Sequence, residues 1–97
     1  MRYEILLAPE ADHDLSRLRA HDRVALKDAI EKHLRHEPTK TSKSRIKRLR
    51  GESRPQYRLR AGEFRVFYDV AGTTVKVLAV VSKLRAEEWL KKAGEQS

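Results

Sequence analysis

The sequence predicts an α+β domain of order β-α-α-β-β-β-β-α: a small antiparallel-core sheet, an N-terminal helical hairpin on one face and a short C-terminal helix. Three observations carry this expectation. Apolar residues recur at helical spacing between Ala11 and Leu34, and they alternate at strand spacing between Tyr57 and Tyr68. A polar stretch, residues 38–44 (PTKTSKS), separates the two regimes, and single glycines, Gly62 and Gly72, punctuate the strand half. The 97 residues contain no internal repeat and suit one domain, 1–97, able to bury roughly two-thirds of its unfolded surface.

Residues 2–8 read as a first strand, with Tyr3, Ile5 and Leu7 on one face. Pro9 suits the first turn of a helix, where its missing N–H costs nothing, and Glu10, Asp12 and Asp14 favour a helix N-terminus. Ala11, Leu15 and Leu18 mark the buried stripe. A second helix is expected from Asp22, a good N-cap residue, with Leu26, Ile30 and Leu34 as its stripe, Ala29 and His33 beside it, and Pro38 as its end. The two helices join around Ala20-His21.

Ile46 and Leu49 anchor a short strand, and residues 51–55 form a break. Tyr57-Arg58-Leu59-Arg60 and Phe64-Arg65-Val66-Phe67-Tyr68 form a hairpin about Ala61-Gly62-Glu63. If Tyr57, Leu59, Phe64, Val66 and Tyr68 face the core, Arg58, Arg60 and Arg65 project together from the other side. Residues 74–81 (TVKVLAVV) are near-continuously apolar, as a central strand covered on both faces is. In the tail, Ser82 stands near a helix start, Glu87 and Glu88 early, Lys91 and Lys92 late, and Gly94 as a stop.

Charge is the most informative feature of the composition. The chain carries a net +8 at a pI near 10.1. Residues 45–69 hold eight Lys and Arg (Arg45, Lys47, Arg48, Arg50, Arg54, Arg58, Arg60, Arg65) against Glu52, Glu63 and Asp69, so most of the excess sits in a quarter of the chain. Clustered positive charge points to nucleic acid, an acidic protein or an anionic surface. No apolar run approaches the ~20 residues of a membrane span. The first residues, MRYEILLAPEADHD, turn acidic too soon for a signal peptide, which makes the cytoplasm the expected location. No cysteine is present, which removes disulfides, thiol catalysis and Cys-based zinc sites.

Arg48-Leu49-Arg50-Gly51, Tyr57-Arg58-Leu59-Arg60 and Gly62-Glu63-Phe64-Arg65-Val66-Phe67-Tyr68-Asp69, following a strand and two helices, resemble the RelE/ParE family of toxin–antitoxin toxins over nearly the whole chain. The resemblance implies an α+β toxin neutralised by a labile antitoxin, with no cofactor. RelE-like members enter the ribosomal A site and cut mRNA, whereas ParE-like members share the fold and poison DNA gyrase. It implies a site made of a basic pair two residues apart, matched by Arg58 and Arg60, and a strand arginine, matched by Arg65. Near the C-terminus Lys83 and Arg85 offer cations, but Trp89-Leu90 stands where the family's tyrosine is expected.

RNA cleavage without a metal needs the 2′-hydroxyl to attack the adjacent phosphorus in line. Charge then gathers on the phosphoryl oxygens, where preorganised cations stabilise it. Arginine's planar fork suits bidentate phosphate contact. On this reading Arg65 and Arg60 clamp the scissile phosphate, Arg58 orients the neighbouring nucleotide and Arg85 completes the catalytic set. Arg45, Lys47, Arg48, Arg50 and Lys83 hold the RNA backbone. Arginine is a poor general base, so the proton acceptor is left open.

The competing reading of the arginine face is an exposed polar sheet surface matched by the protein's own acids. Phe67 and Trp89 could each stack a base, but the favoured reading puts Phe67 under the C-terminal helix with Trp89 as that helix's anchor. His13, His21, His33 and His36 lack the ligand set of a zinc site. Three functions remain in play. The first is a ribosome-dependent mRNA endoribonuclease whose partners are ribosome, mRNA and a small acidic antitoxin, assembled as a hetero-oligomer. The second is a gyrase inhibitor that cuts no RNA. The third is a non-catalytic RNA- or ribosome-binding module.

Overall fold

In the computed structural model, which describes residues 1–49 and 54–95, the chain runs β1 (Glu4–Leu7), α1 (Pro9–Ser16), α2 (Ala20–Leu34), β2 (Ile46–Arg48), β3 (Tyr57–Ala61), β4 (Phe64–Ala71), β5 (Thr74–Ser82) and α3 (Ala86–Glu95). This is the element order the sequence predicts. One sheet forms in the order β1-β5-β4-β3-β2; β1 lies parallel to β5 and every other neighbour is antiparallel. β4 is therefore central and β2 is an edge.

Pro9 opens α1 directly after Ala8, with Glu10 and Asp12 in the first turn. That helix ends at Ser16, so Leu18 falls in the connection rather than in the helical stripe, though it still packs half-buried against the core. α2 begins at Ala20 rather than Asp22: the Arg23 amide already bonds the Arg19 carbonyl at 2.9 Å, and Arg19 holds the cap position. Asp22 instead sits in the first turn, where its charge meets the positive end of the helix dipole.

Ala11, Leu15, Leu26, Ile30 and Leu34 from the two helices meet Ile46, Leu59, Val66, Tyr68, Val75, Val77 and Val80 from one sheet face in a single core. Tyr68 is fully buried, stacks on Tyr57 at 5.4 Å, and its hydroxyl donates to the Pro38 carbonyl at 2.6 Å. That bond pins the chain just beyond α2 to the central strand. Burial pushes the Tyr68 phenol above its usual value.

Two hairpin turns set the strand registers. Gly62 and Gly72 stand at φ +60° and +58°, each the first of two loop residues, as a type II′ turn requires. A β-bulge at Leu78 shifts the β4–β5 register, pairing Phe67 with Ala79 but Tyr68 with Val77. β1 stops opposite Val77, and beyond it the open edge of β5 is met by α1: the Val80 amide donates to Asp14 Oδ2 at 2.9 Å. Burial raises the Asp14 carboxyl above its usual value, with the Val80 hydrogen bond opposing the shift.

At the other end Ser82 is the last residue of β5, paired with Phe64, and does not start the final helix. α3 begins at Ala86 after the turn of residues 83–85 and runs past Gly94 to Glu95. Arg50 and residues 51–53 of the expected break lie outside the described residues. Among the described residues no helix is long and apolar enough to cross a membrane.

Candidate nucleic-acid interface

Cross-strand pairing fixes which side chains share a face. In the β3–β4 hairpin Tyr57 opposes Tyr68, Arg58 opposes Phe67, Leu59 opposes Val66, and Arg60 opposes Arg65. Tyr57, Leu59, Val66 and Tyr68 point to the core, so Arg58, Arg60, Arg65 and Phe67 point to the other face together. That face is partly roofed by α3. Trp89 stacks on Phe67 with centroids 4.7 Å apart and planes 16° apart, and its indole N–H donates to Glu10 Oε2 at 3.0 Å. Phe67 is 1% exposed, buried beneath α3, and Trp89 anchors the helix.

Between α3 and the edge of the sheet lies an open cleft of about 340 Å³. Lys47 of β2, Arg58 of β3, Arg65 of β4 and Lys83 of the β5–α3 turn supply its cations. Leu49, Phe67, Ala86 and Leu90 supply apolar wall, and Glu87 is the carboxylate among its described lining residues.

None of these four cations pairs with an acid among the described residues. The ion pairs among the described residues are Arg35–Glu31, Lys40–Glu37, Arg54–Asp69 and Lys92–Glu88. Asp69, an acid of the basic stretch itself, is taken by Arg54 at 3.2 Å and by the Gln56 amide at 2.7 Å. Arg65 is 8% exposed and braced by its own hairpin, with Nη1 donating to the Gly62 and Phe64 carbonyls at 3.0 and 2.9 Å. Arg58 is half-buried, and its Nε is enclosed without a hydrogen-bond partner among the described residues. Desolvation, then the nearby Arg65 and Arg60, hold its guanidinium below the usual arginine value. A desolvated cation without an anion is costly, and a bound anion removes that cost.

The other sequence-predicted residues are dispersed. Arg60 is exposed beside Arg65 but outside the cleft lining; its amide bonds the Arg45 carbonyl at 2.8 Å, and Arg45 Nη1 donates back to its carbonyl at 3.2 Å. Arg48 alternates with Lys47 onto the opposite face, where its guanidinium lies 5.0 Å from the Tyr57 ring centre. Arg45 lines a separate hollow with Lys32, His33 and His36; burial, then Arg45 and Lys32, hold His33 below its usual value. Arg85 lines a third depression of about 190 Å³ with Val81, Glu88, Trp89 and Lys92, not the cleft. Arg50 is outside the described residues. None of the four histidines lines the cleft, and no group of three or more metal-ligating side chains occurs among the described residues.

Ala86, Glu87 and Leu90 of α3 line the cleft without having been predicted as site residues. Leu90 follows Glu87 by three residues and Ala86 by four, so it neighbours both on the helix surface, a spacing visible once the tail is read as helix.

Residues 5–87 match the family described as the ParE toxin of the type II toxin–antitoxin system, parDE. Among solved structures, the chain is similar to the toxin–antitoxin complex RelBE2 from Mycobacterium tuberculosis, at 26% identity and a TM-score of 0.70, covering 84% of this chain and 99% of that one. It is similar to the RelB–RelE antitoxin–toxin complex from Methanococcus jannaschii, at 25% identity and a TM-score of 0.65, covering 87% and 96%. A third likeness is to the archaeal RelE–RelB complex from Pyrococcus horikoshii OT3, at 25% identity and a TM-score of 0.64, covering 89% and 100%. No curated protein matches the chain.

Proposed function

The chain belongs to the RelE/ParE family, the toxins of type II toxin–antitoxin systems, and we propose that it is a ribosome-dependent mRNA endoribonuclease that stops translation. The observation that carries the proposal is the unpartnered, enclosed Nε of Arg58 in a cleft where Arg65, Lys47 and Lys83 are also unmatched by any described acid. Such a cleft suits a phosphodiester. Arg58 and Arg65 stabilise the charge that builds on the phosphoryl oxygens during 2′-hydroxyl attack, and the products are a 2′,3′-cyclic phosphate and a 5′-hydroxyl. Lys47 and Lys83 hold flanking phosphates, while Arg60 and Arg45 extend the positive surface around the β2 edge. Arg48 and Arg85, which face other surfaces, receive no role in the chemistry.

The similar structures are toxin–antitoxin complexes, which supports an antitoxin as partner. An acidic antitoxin segment laid over the cleft would neutralise the toxin by charge complementarity. A second reading, inhibition of DNA gyrase without RNA cleavage, is favoured by the ParE identity of the matching family and by Trp89-Leu90 in place of a C-terminal tyrosine.

Primer extension on cellular mRNA after induction separates these readings. New 5′ ends within translated codons are expected from the wild type and not from Arg58→Ala. Gyrase-dependent DNA breaks without new mRNA ends would replace the first reading with the second. RNA or ribosome binding with neither outcome would make the protein a non-catalytic binding module.

A further inference from the structure

The cleft that the ribonuclease reading supplies with cations also needs a group to take the proton from the attacking 2′-hydroxyl. Arginine stays protonated at neutral pH and cannot accept it; a lysine serves as a base when buried, and Lys47 and Lys83 are exposed. We infer that Glu87 is the general base of the cleavage step, a role that rests on that reading.

The placement is specific. Glu87 is the second residue of α3 and lines the same cleft as Arg58 and Arg65, whereas its neighbour Glu88 turns to the far depression and pairs with Lys92 at 3.5 Å. Glu87 makes no ion pair with any described residue. The charged groups lining the cleft with it are Lys47 from β2, Arg58 from β3, Arg65 from β4 and Lys83 from the turn before the helix; on its own helix Lys91 lies one turn away. All five are cations. The sheet supplies the phosphate clamp and α3 supplies the base, from opposite walls of one opening.

The step balances without any other reagent. The 2′-oxygen bonds to phosphorus as its proton passes to a Glu87 carboxylate oxygen. The P–O5′ bond breaks, the 5′-oxygen takes a proton from solvent, and Glu87 returns its own proton to solvent.

Cleavage by Glu87→Gln, Glu87→Asp and wild type is measured across pH on translating ribosomes. In parallel, anisotropy follows binding of a fully 2′-O-methylated RNA oligonucleotide, which cannot be cut. Glu87→Gln is expected to cleave about 10²–10⁴-fold more slowly, to lose the fall in rate on the acid side that a carboxylate base imposes, and to bind the uncleavable RNA as well as or better than wild type. Glu87→Asp is expected to recover part of the rate. Wild-type cleavage by Glu87→Gln overturns the inference, as does loss of cleavage in step with RNA binding or with the thermal midpoint. A wild type that cuts no RNA overturns the ribonuclease reading and Glu87's role with it, an outcome recognised by inactivity of every chain rather than of the variant alone.

Discussion

Replacing Arg58 by methionine should make the protein more stable and inactive at once. Two costs are carried by the native side chain. Its Nε is enclosed with no partner among the described residues, and an unmade hydrogen bond of a buried donor costs about 1–3 kcal/mol. Its charge also faces Arg65 and Arg60, which add to desolvation in lowering its proton affinity. Arg65 is a diagonal neighbour across the hairpin, a relation that places side chains roughly 7–8 Å apart. At a near-surface effective dielectric of about 20 that repulsion is about 2 kcal/mol, and screening at physiological salt brings it below about 1 kcal/mol. Methionine keeps an unbranched apolar stem and removes both costs, at some loss of the arginine's own packing. A net gain of about 1 kcal/mol corresponds to a rise of about 4–8 °C in thermal midpoint for a domain of this size. Differential scanning calorimetry at low and high salt is the assay, paired with growth arrest on induction. The gain should shrink with salt as the Coulomb part is screened, while its desolvation part persists. A lower midpoint for Arg58→Met at both salt concentrations would refute the claim that this guanidinium is unsatisfied in the free protein.

The other predictions concern the scaffold. Tyr68→Phe removes the hydroxyl that donates to the Pro38 carbonyl and should cost about 1–2 kcal/mol in denaturant unfolding. Asp14→Leu leaves the Val80 amide without its acceptor and should cost about 1–3 kcal/mol, whereas Asp14→Asn keeps an acceptor oxygen, sheds a partly desolvated charge, and should stay within about 0.5 kcal/mol of wild type at neutral pH. The folded His33 imidazole has a pKa below its unfolded value, so the folded state binds fewer protons. Stability therefore rises with pH across the window between the depressed folded value and the ordinary value near ~6.5, and is lost as pH falls through it. His33→Gln should flatten that part of a stability–pH curve measured by urea titration.

Much of this architecture could be read from residue order. The alternation of Tyr57, Leu59, Phe64, Val66 and Tyr68 with Arg58, Arg60 and Arg65 is a local property of two short strands, and the hairpin reproduces it face for face. Helix ends were less legible. Asp22 has the chemistry of a cap, but a first-turn acid gains from the dipole in the same way, and the short α1–α2 connection decides where α2 starts. Ser82 has helix-start chemistry too, yet pairing with Phe64 holds it in the sheet. For the site, Arg48 is drawn in by its place in the basic stretch, and Arg85 by the family resemblance near the C-terminus. Strand alternation sends Arg48 to the opposite face, and α3 puts Arg85 on its far flank. Glu87 was read only as a helix-start acid, because its nearness to Arg58 and Arg65 exists only after α3 folds back across β4.

The two-residue turn at Gly62-Glu63 governs more than the path of the chain. Side chains in β3 and β4 change sides at every residue, so sliding one strand past the other by a single position would turn its guanidinium groups inward and push Leu59 or Val66 into water. The anion-seeking surface and the apolar interior are thus two outcomes of one alignment. Lengthening that loop by one residue would leave the charge of the molecule untouched and still disarm it.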